Sequence, residues 1–300
     1  TTMGWPRVAI AGGSIGGLTA ALLLRDLGCE VDVYERSEAV LHAPGAGIAV
    51  LEQTSRYPEQ RLGMPVDSFC SRTNNITFFN ADGSTQRVIP HRYNFAAWNT
   101  IYRILHRAFG NERYHLGVEV TSFISGPNSV QVDFSEANSR DTDLLICADG
   151  IRSLARAAAL PLVRPHYAGY VAWRGTVRES ELSDVSYEAL HDSLSYQVLD
   201  KGHILIYPIP DETGDIRPGH RLMNIVWYFN ADENSELPRL LTDRDGILHD
   251  VSIPPGQLDL EVQAEVKIKK FSPASSPYSC LTSEKSKKNP FKLLAAYLSP

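Results

Sequence analysis

Hydrophobic and polar positions change their period several times along the 300-residue chain, and the changes mark out its elements. Val8 and Ile10 precede a cluster of glycines, and Leu18, Ala21, Leu22 and Leu24 follow at near-helical spacing. Val31 and Val33 then alternate with Asp32 and Tyr34. This order predicts a strand, a tight turn, a helix ended by Gly28, and a second strand ending on Glu35. Residues Ile76 to Phe79 and Gln86 to Ile89 flank Asn80-Ala-Asp-Gly83, which predicts a hairpin turning at Asp82-Gly83. Ile101, Leu105 and Phe109 share one face of a helix over Trp98 to Phe109, with Asn99 or Thr100 placed to cap it and Gly110 to end it. Two strands, Gly117 to Ile124 and Ser129 to Phe134, precede Thr142 to Ala148, an apolar run with the texture of a buried parallel strand.

From residue 166 helical spacing nearly vanishes. Tyr167 to Val177, Leu194 to Leu199, His203 to Tyr207 and Arg221 to Phe229 alternate with turns at Asp200-Lys-Gly202 and Asp211-Glu-Thr-Gly214. That pattern predicts a separate antiparallel sheet, and a sheet laid against the first unit makes a cleft suited to a small molecule. From Glu265 lysine and serine accumulate, as in Lys267-Ile-Lys-Lys270 and Glu284-Lys-Ser-Lys-Lys288, until the apolar stretch Phe291 to Leu298. Residues 272–290 read as a disordered, solvated tail.

Composition narrows the function classes. A hydrophobic content of 43% is enough for a full core, and a net charge of −6 argues against nucleic acid as a partner. No apolar run is long enough to span a bilayer and no basic segment precedes an apolar one at the start, so the expectation is a cytoplasmic protein without a membrane partner. A homodimer is left open. Cys29, Cys70, Cys147 and Cys280 show no metal-ligand spacing, which predicts no metal site; Cys29 and Cys147 read as small core hydrophobes beside or within buried strands. The absence of HExxH, a Walker lysine and GxSxG removes the main support for hydrolase and phosphoryl-transfer chemistry.

The glycine cluster carries the chemistry. Gly12-Gly-Ser-Ile-Gly-Gly17 follows a strand, opens a helix and is followed by an acidic residue, Glu35, which together make a dinucleotide site. Gly12 takes the tight turn and Gly17 the helix-to-sheet contact, while Ser14 stands where a second glycine would let backbone approach a pyrophosphate. The helix start at Ile15 to Gly17 points N–H groups and a positive dipole end at the phosphates. A second glycine-rich turn, Ala43 to Val50, either permits a bend or lets backbone come close to a ring system. Asp149, at the carboxyl end of the Thr142 to Ala148 strand, lies where α/β sheets bind ligands, or else caps the next helix.

These motifs, with Glu35-Arg36 and Asp149-Gly-Ile-Arg-Ser153 followed by Arg156, resemble the single-component FAD-dependent aromatic monooxygenases. Trp98-Asn-Thr-Ile-Tyr-Arg103, Tyr167-Ala-Gly-Tyr-Val-Ala-Trp-Arg-Gly175, Tyr207-Pro-Ile-Pro210, Asn224-Ile-Val-Trp-Tyr228 and the stretch from Leu241-Thr-Asp243 to Pro254-Pro-Gly256 resemble the branch of the 2,6-dihydroxypyridine 3-hydroxylases. The resemblance covers roughly residues 6–260. It implies an α/β fold (α+β overall): a Rossmann-like FAD-binding domain, residues 1–72 and 94–164, with a β-sheet substrate domain, residues 73–93 and 165–262, packed against it. Residues 263–300 form an atypical tail.

The resemblance also implies that NADH or NADPH reduces FAD and that one atom of O₂ is passed to an electron-rich aromatic or heteroaromatic substrate. Gly12, Ser14, Ile15, Gly16 and Gly17 are the implied phosphate turn; Glu35 meets the adenosine ribose, Arg36 the adenosine end, and Asp149 the flavin or nicotinamide cofactor. Trp98 stands where many relatives place an FAD-contacting arginine, and Arg103 does not inherit that role. Tyr196, His203 and Tyr207 are the substrate-side candidates, and no catalytic residue is singled out. A later Gly-Asp motif of the form GDAAH is implied as well, yet Gly-Asp occurs only at Gly214-Asp215, within a predicted loop. The chain thus reads as lacking that segment. This sets beside the monooxygenase reading an alternative, a truncated and non-catalytic FAD- or ADP-binding remnant; an NAD-dependent dehydrogenase fits the first motif alone.

Overall fold

The computed structural model describes residues 5–41, 47–254, 256–262, 264 and 292–298. The stretch read as disordered, 272–290, and Cys280 lie outside the described residues. Strand β1 (Arg7–Ala11) is one of two inner strands of a four-stranded parallel sheet, between β2 (Glu30–Glu35) and β10 (Leu144–Cys147), with β6 (Tyr114–Leu116) beyond β2. The register sets Ile10 beside both Val33 and Ile146.

Helix α1 (Ile15–Asp26) covers one face of this sheet and buries Gly17, Leu18, Ala21 and Leu22. Helix α3 (Trp98–Phe109) adds Ile101, Tyr102, Leu105 and Phe109, and α2 (Glu52–Leu62) adds Tyr57, to one apolar cluster with Val8, Ile10, Val31 and Val33. Each such Leu or Ile, fully buried, contributes about 1.5–3 kcal/mol of transfer free energy. The two long helices are also bolted through a polar contact. Arg25, in the last turn of α1, donates to the carbonyls of Phe109 and Ala108 at 2.7 Å each, satisfying acceptors that the end of α3 leaves free. The opposite sheet face packs Ala9 and Tyr34 against Val132 and Phe134 of a three-stranded meander, β7 (Val120–Ser125), β8 (Val130–Phe134) and β9 (Ser139–Thr142).

The second sheet has eight strands in the order β15 (Lys292–Leu298), β11 (His166–Arg178), β14 (Leu222–Asn230), β13 (Gly202–Ile209), β12 (Ser193–Leu199), β4 (Ser71–Phe79), β5 (Thr85–Ala97) and β3 (Gly47–Ala49). Trp173, Trp227, Phe229, Ile204 and Ile206 bury one face of it beneath the short helices α5 (Asp184–Leu190) and α6 (Leu237–Leu240), which contribute Leu190, Leu237 and Leu240.

Four sequence expectations are corrected. The sheet is mixed, because β12 runs parallel to β4 while its other neighbour is antiparallel. The strand ending at Cys147 is parallel to β1 but, among the described residues, lies at the sheet edge: Leu144 is 44% exposed and Cys147 is exposed, so this cysteine is no core residue. An edge strand is covered from one side only, which apolar composition alone does not reveal. Cys29 is half-buried, and Cys70 is the buried thiol, pushed by burial up to about 12. Neither proposed side chain caps α3, which starts at Trp98 directly from β5 with Ala97 in the cap position. The chain passes from strand to helix with no loop in which a capping side chain turns back. In the tail, Lys292–Leu298 pairs with β11 as an antiparallel strand.

One buried ion pair secures the turn between β13 and β14. Glu179 and Arg221, 2% and 4% exposed, meet at 2.5 and 2.9 Å; the Gly219 N–H also donates to Glu179, and Arg221 donates to the His191 carbonyl. Removing one partner strands a buried charge, which costs about 3–5 kcal/mol. Urea unfolding of Glu179→Ala is expected to show a loss of that size, and Glu179→Leu combined with Arg221→Met is expected to be less destabilised than the single variant.

Candidate functional site

The carboxyl ends of β1, β2 and β10 open into a cavity of about 210 Å³ lined by Gly12, Ser14, Glu35, Arg36, Asp149 and Arg152, among others. The turn leaving β1 explains how three separate segments reach one place. Gly12 has φ +101°, and a Cβ there would lie 2.3 Å from the Ala148 carbonyl oxygen, so the strand carrying Asp149 closes directly onto the turn. Gly17 faces the other way: a Cβ on it would lie 1.9 Å from the Gly12 oxygen. It therefore brings α1 down onto the turn and touches no ligand space. Gly16 is exposed, and a Cβ built on it meets nothing within 4 Å.

Ser14 occupies the N-cap position of α1 without a side-chain cap bond, and no acidic residue stands in the first helical turn. A helix start leaves N–H groups unpaired and a positive end exposed, which suits phosphate. Glu35, only 7% exposed, accepts from the Gly13 N–H at 2.9 Å and from the Ser37 N–H at 3.0 Å, one to each carboxylate oxygen. Each oxygen keeps a further lone pair, so the carboxylate braces the turn and still has acceptor capacity for a sugar hydroxyl. Asp149 stands just beyond the carboxyl end of β10. It lines the cavity, and its carboxylate accepts from the Leu154 N–H at 2.7 Å, ahead of the short helix α4 (Leu154–Ala159) that Ser153 caps.

The cavity thus gathers Gly12, Ser14, Glu35, Arg36 and Asp149, whereas Ile15, Gly16 and Gly17 do not line it. Sequence reasoning missed Arg152 as a second cation of the wall, together with the wall segment Val118 to Val120. Arg152 was legible inside Asp149-Gly-Ile-Arg-Ser153; the other segment carries no local signal. The residues present fit a dinucleotide: open space over Gly16, an uncommitted helix start, acceptor capacity at Glu35 and two guanidinium groups at the wall.

On the eight-stranded sheet, Tyr196, His203 and Tyr228 form an aromatic row. His203 lies 5.0 Å from Tyr228 and 6.3 Å from Tyr196, which stacks on Phe78 at 5.3 Å. Burial pushes the His203 imidazole below its ordinary value and the Tyr196 phenol above its own, so both are neutral near pH 7. Tyr207 is not part of this open row. It is 7% exposed, stacks on Phe95 at 4.2 Å, has its phenol pushed by burial up to about 12, and donates to the Gly47 carbonyl at 3.1 Å.

Asn224, fully buried, accepts from the Gly47 N–H at 3.0 Å, so both polar groups of that glycine are held by the sheet. A Cβ on Gly47 would lie 2.7 Å from Asn224. Residues 42–46 of the second glycine-rich turn lie outside the described residues. Trp98 stacks on Tyr102 at 5.1 Å, and Arg103 donates to the Glu212 carbonyl. Among the described residues no group of three or more His, Cys, Asp or Glu is placed to hold a metal, and no helix is long and apolar enough to cross a membrane.

Comparison with known proteins gives the family and the fold. A family model described as FAD binding domain-like matches residues 167–293. The 2,6-dihydroxypyridine 3-monooxygenase of Paenarthrobacter nicotinovorans is 35% identical over 283 residues, 91% of this chain and 70% of that protein. The aurachin C monooxygenase/isomerase of Stigmatella aurantiaca is 33% identical over 58% of this chain, which spans 48% of that protein. The solved structure of 2,6-dihydroxypyridine-3-hydroxylase from Arthrobacter nicotinovorans superposes with a TM-score of 0.87 at 32% identity, over 97% of this chain and 72% of that one.

The close contact at Gly12 is the point on which the cavity depends. Gly12→Ala is expected to cost at least about 1–3 kcal/mol in strain and displaced backbone, read by thermal unfolding. It should also weaken ADP binding in calorimetry more than it lowers stability.

Proposed function

The chain belongs to the FAD-dependent aromatic monooxygenases, and from that premise we propose that it hydroxylates a small electron-rich aromatic or heteroaromatic substrate with NADH or NADPH and O₂. The observation that carries the reading is the cavity that gathers Gly12, Ser14, Glu35, Arg36 and Asp149 at one end of the parallel sheet. Ser14 and the first turn at Ile15 and Gly16 are the proposed pyrophosphate contacts, Glu35 and Arg36 hold the adenosine end, and Asp149 faces the cofactor; Gly17 serves by packing. FAD held there would supply the redox and oxygen-activating chemistry that side chains lack. Residues 1–72 and 94–164 form the proposed FAD-binding unit, and 73–93 with 165–262 the substrate unit. The net charge of −6 supports a reading without a nucleic-acid partner.

The chain's own part on the substrate side falls to Tyr196, His203 and Tyr228. A neutral imidazole accepts a hydrogen bond from a ring hydroxyl and takes its proton, which raises electron density at the carbon to be attacked. The phenol hydroxyls of the row donate to ring heteroatoms or oxygens. The three side chains are half-buried, so each keeps a face on which a substrate ring can lie.

Titrating the full chain with FAD should quench flavin fluorescence, and NADH or NADPH oxidation with O₂ uptake should rise on adding 2,6-dihydroxypyridine or a related hydroxylated ring. Binding of FAD or ADP without turnover on any such ring would favour the non-catalytic alternative, and failure to bind either would defeat both. His203→Ala is expected to lower kcat for hydroxylation by roughly 10²-fold or more while FAD affinity stays unchanged. The sign of the pH effect follows from the depressed imidazole. The proton-accepting form persists below the ordinary histidine value of about 6.5, and kcat should fall only at still lower pH.

A further inference from the structure

Gly13, inside the phosphate turn, is held through both of its backbone polar groups. Its N–H donates to Glu35 at 2.9 Å, and its carbonyl accepts from the Tyr114 hydroxyl at 2.8 Å, both bonds being buried. A Cβ on Gly13 would lie 2.3 Å from the Tyr114 oxygen and 2.9 Å from the Glu35 Cβ, so the two side chains fill the space beside it. Tyr114 in turn stands 3.1 Å from the Tyr102 hydroxyl. A carbonyl oxygen can only accept, so the single Tyr114 proton goes to Gly13 and Tyr102 must donate to Tyr114. The chain of donors runs one way, from Tyr102 to Tyr114 to Gly13, and each bond polarises the next. Burial pushes the Tyr114 phenol far above its ordinary value, so the donor persists at every working pH.

Packing fixes both rings. Tyr102 is fully buried and stacks with Trp98 at 5.1 Å and His106 at 5.5 Å; His106 also meets Tyr114 edge-on at 4.6 Å. The consequence for the ligand comes from peptide planarity. In a trans peptide the carbonyl and the following N–H point in opposite directions. Drawing the Gly13 carbonyl inward to Tyr114 therefore turns the Ser14 N–H outward, on the side where Ser14 lines the cavity.

We propose that Tyr114, held by Tyr102, is a positioning residue for the diphosphate of the bound dinucleotide: it sets the peptide that aims the Ser14 N–H. The inference rests on the cofactor reading given above, and goes beyond it by assigning a role to a tyrosine on β6, outside the glycine motif.

The test is a ligand series on the full chain, measured by calorimetry for ADP and FAD and by competition for adenosine. Tyr114→Phe is expected to weaken ADP and FAD binding at least tenfold and to leave adenosine unchanged, because only ligands with a diphosphate use the aimed N–H. Tyr102→Phe keeps the Tyr114–Gly13 bond and loses its upstream donor, so a smaller loss in the same ligand order is expected. Unchanged ADP affinity in Tyr114→Phe overturns the inference, as does an equal loss for adenosine and ADP, which marks a merely structural role. If Tyr114→Phe does not fold, Tyr102→Phe decides, and unchanged ADP affinity there overturns the proposal. A wild-type chain that binds neither ADP nor FAD overturns the cofactor reading itself, an outcome distinct from binding that Tyr114 does not influence.

Discussion

The turn at Gly12 and the distant segment at Ala148 meet with no room for a side chain, and the architecture of the site depends on that contact. The Ala148 carbonyl presses on one side of the turn and the first turn of α1 on the other, each nearer than any Cβ tolerates. Backbone packed this closely is rigid, because no rotamer can change to relieve it. The carboxyl ends of β1 and β10 and the start of α1 therefore share one frame, and the groups they carry, from Ser14 to Asp149, keep fixed mutual positions. Burial of Leu18, Leu22, Ile101, Tyr102 and Leu105 against the sheet holds this frame from behind.

A comparable grip on Gly47 ties the short strand β3 to the large sheet. Asn224 and Tyr207 take its N–H and its carbonyl, so two side chains that project from neighbouring strands clamp one backbone residue. The hydroxyl of Tyr207 is spent on this clamp, which is why the open aromatic row consists of Tyr196, His203 and Tyr228. A tyrosine on a strand of the right parity is thus not by itself a substrate contact. What decides is whether its hydroxyl already has a partner.

The carboxylates follow the same logic. Glu35, Asp149 and Glu179 all accept from backbone N–H groups of turns or helix starts, and each stabilises a local conformation before it does anything else. At Glu35 and Asp149 the structural duty coincides with a place on the cavity wall. The acceptors there are immobilised by bonds that exist without any ligand, an arrangement that lowers the reorganisation cost of binding.

Much of the first unit was legible along the chain. The glycines of 12–17, the acidic end of β2 and the apolar run before Asp149 are local patterns, imposed by the geometry of one strand, one turn and one helix. The hairpin at Asp82-Gly83 and the aromatic strands after residue 166 were legible for the same reason. Contacts that depend on distant segments were not. The exposed edge position of Leu144–Cys147, the parallel pairing of β12 with β4, the helix start at Trp98, the withdrawal of Tyr207 to Gly47, and the chain from Tyr102 through Tyr114 to Gly13 are each set by a neighbour that lies many residues away. Amino-acid sequence by itself determined which residues can turn, alternate or bind phosphate, because those properties reside in φ, in side-chain period and in local charge. Only the tertiary structure decided which hydroxyl, carboxylate or strand edge remains available, because hydrogen-bonding capacity and burial are settled by whatever packs against them.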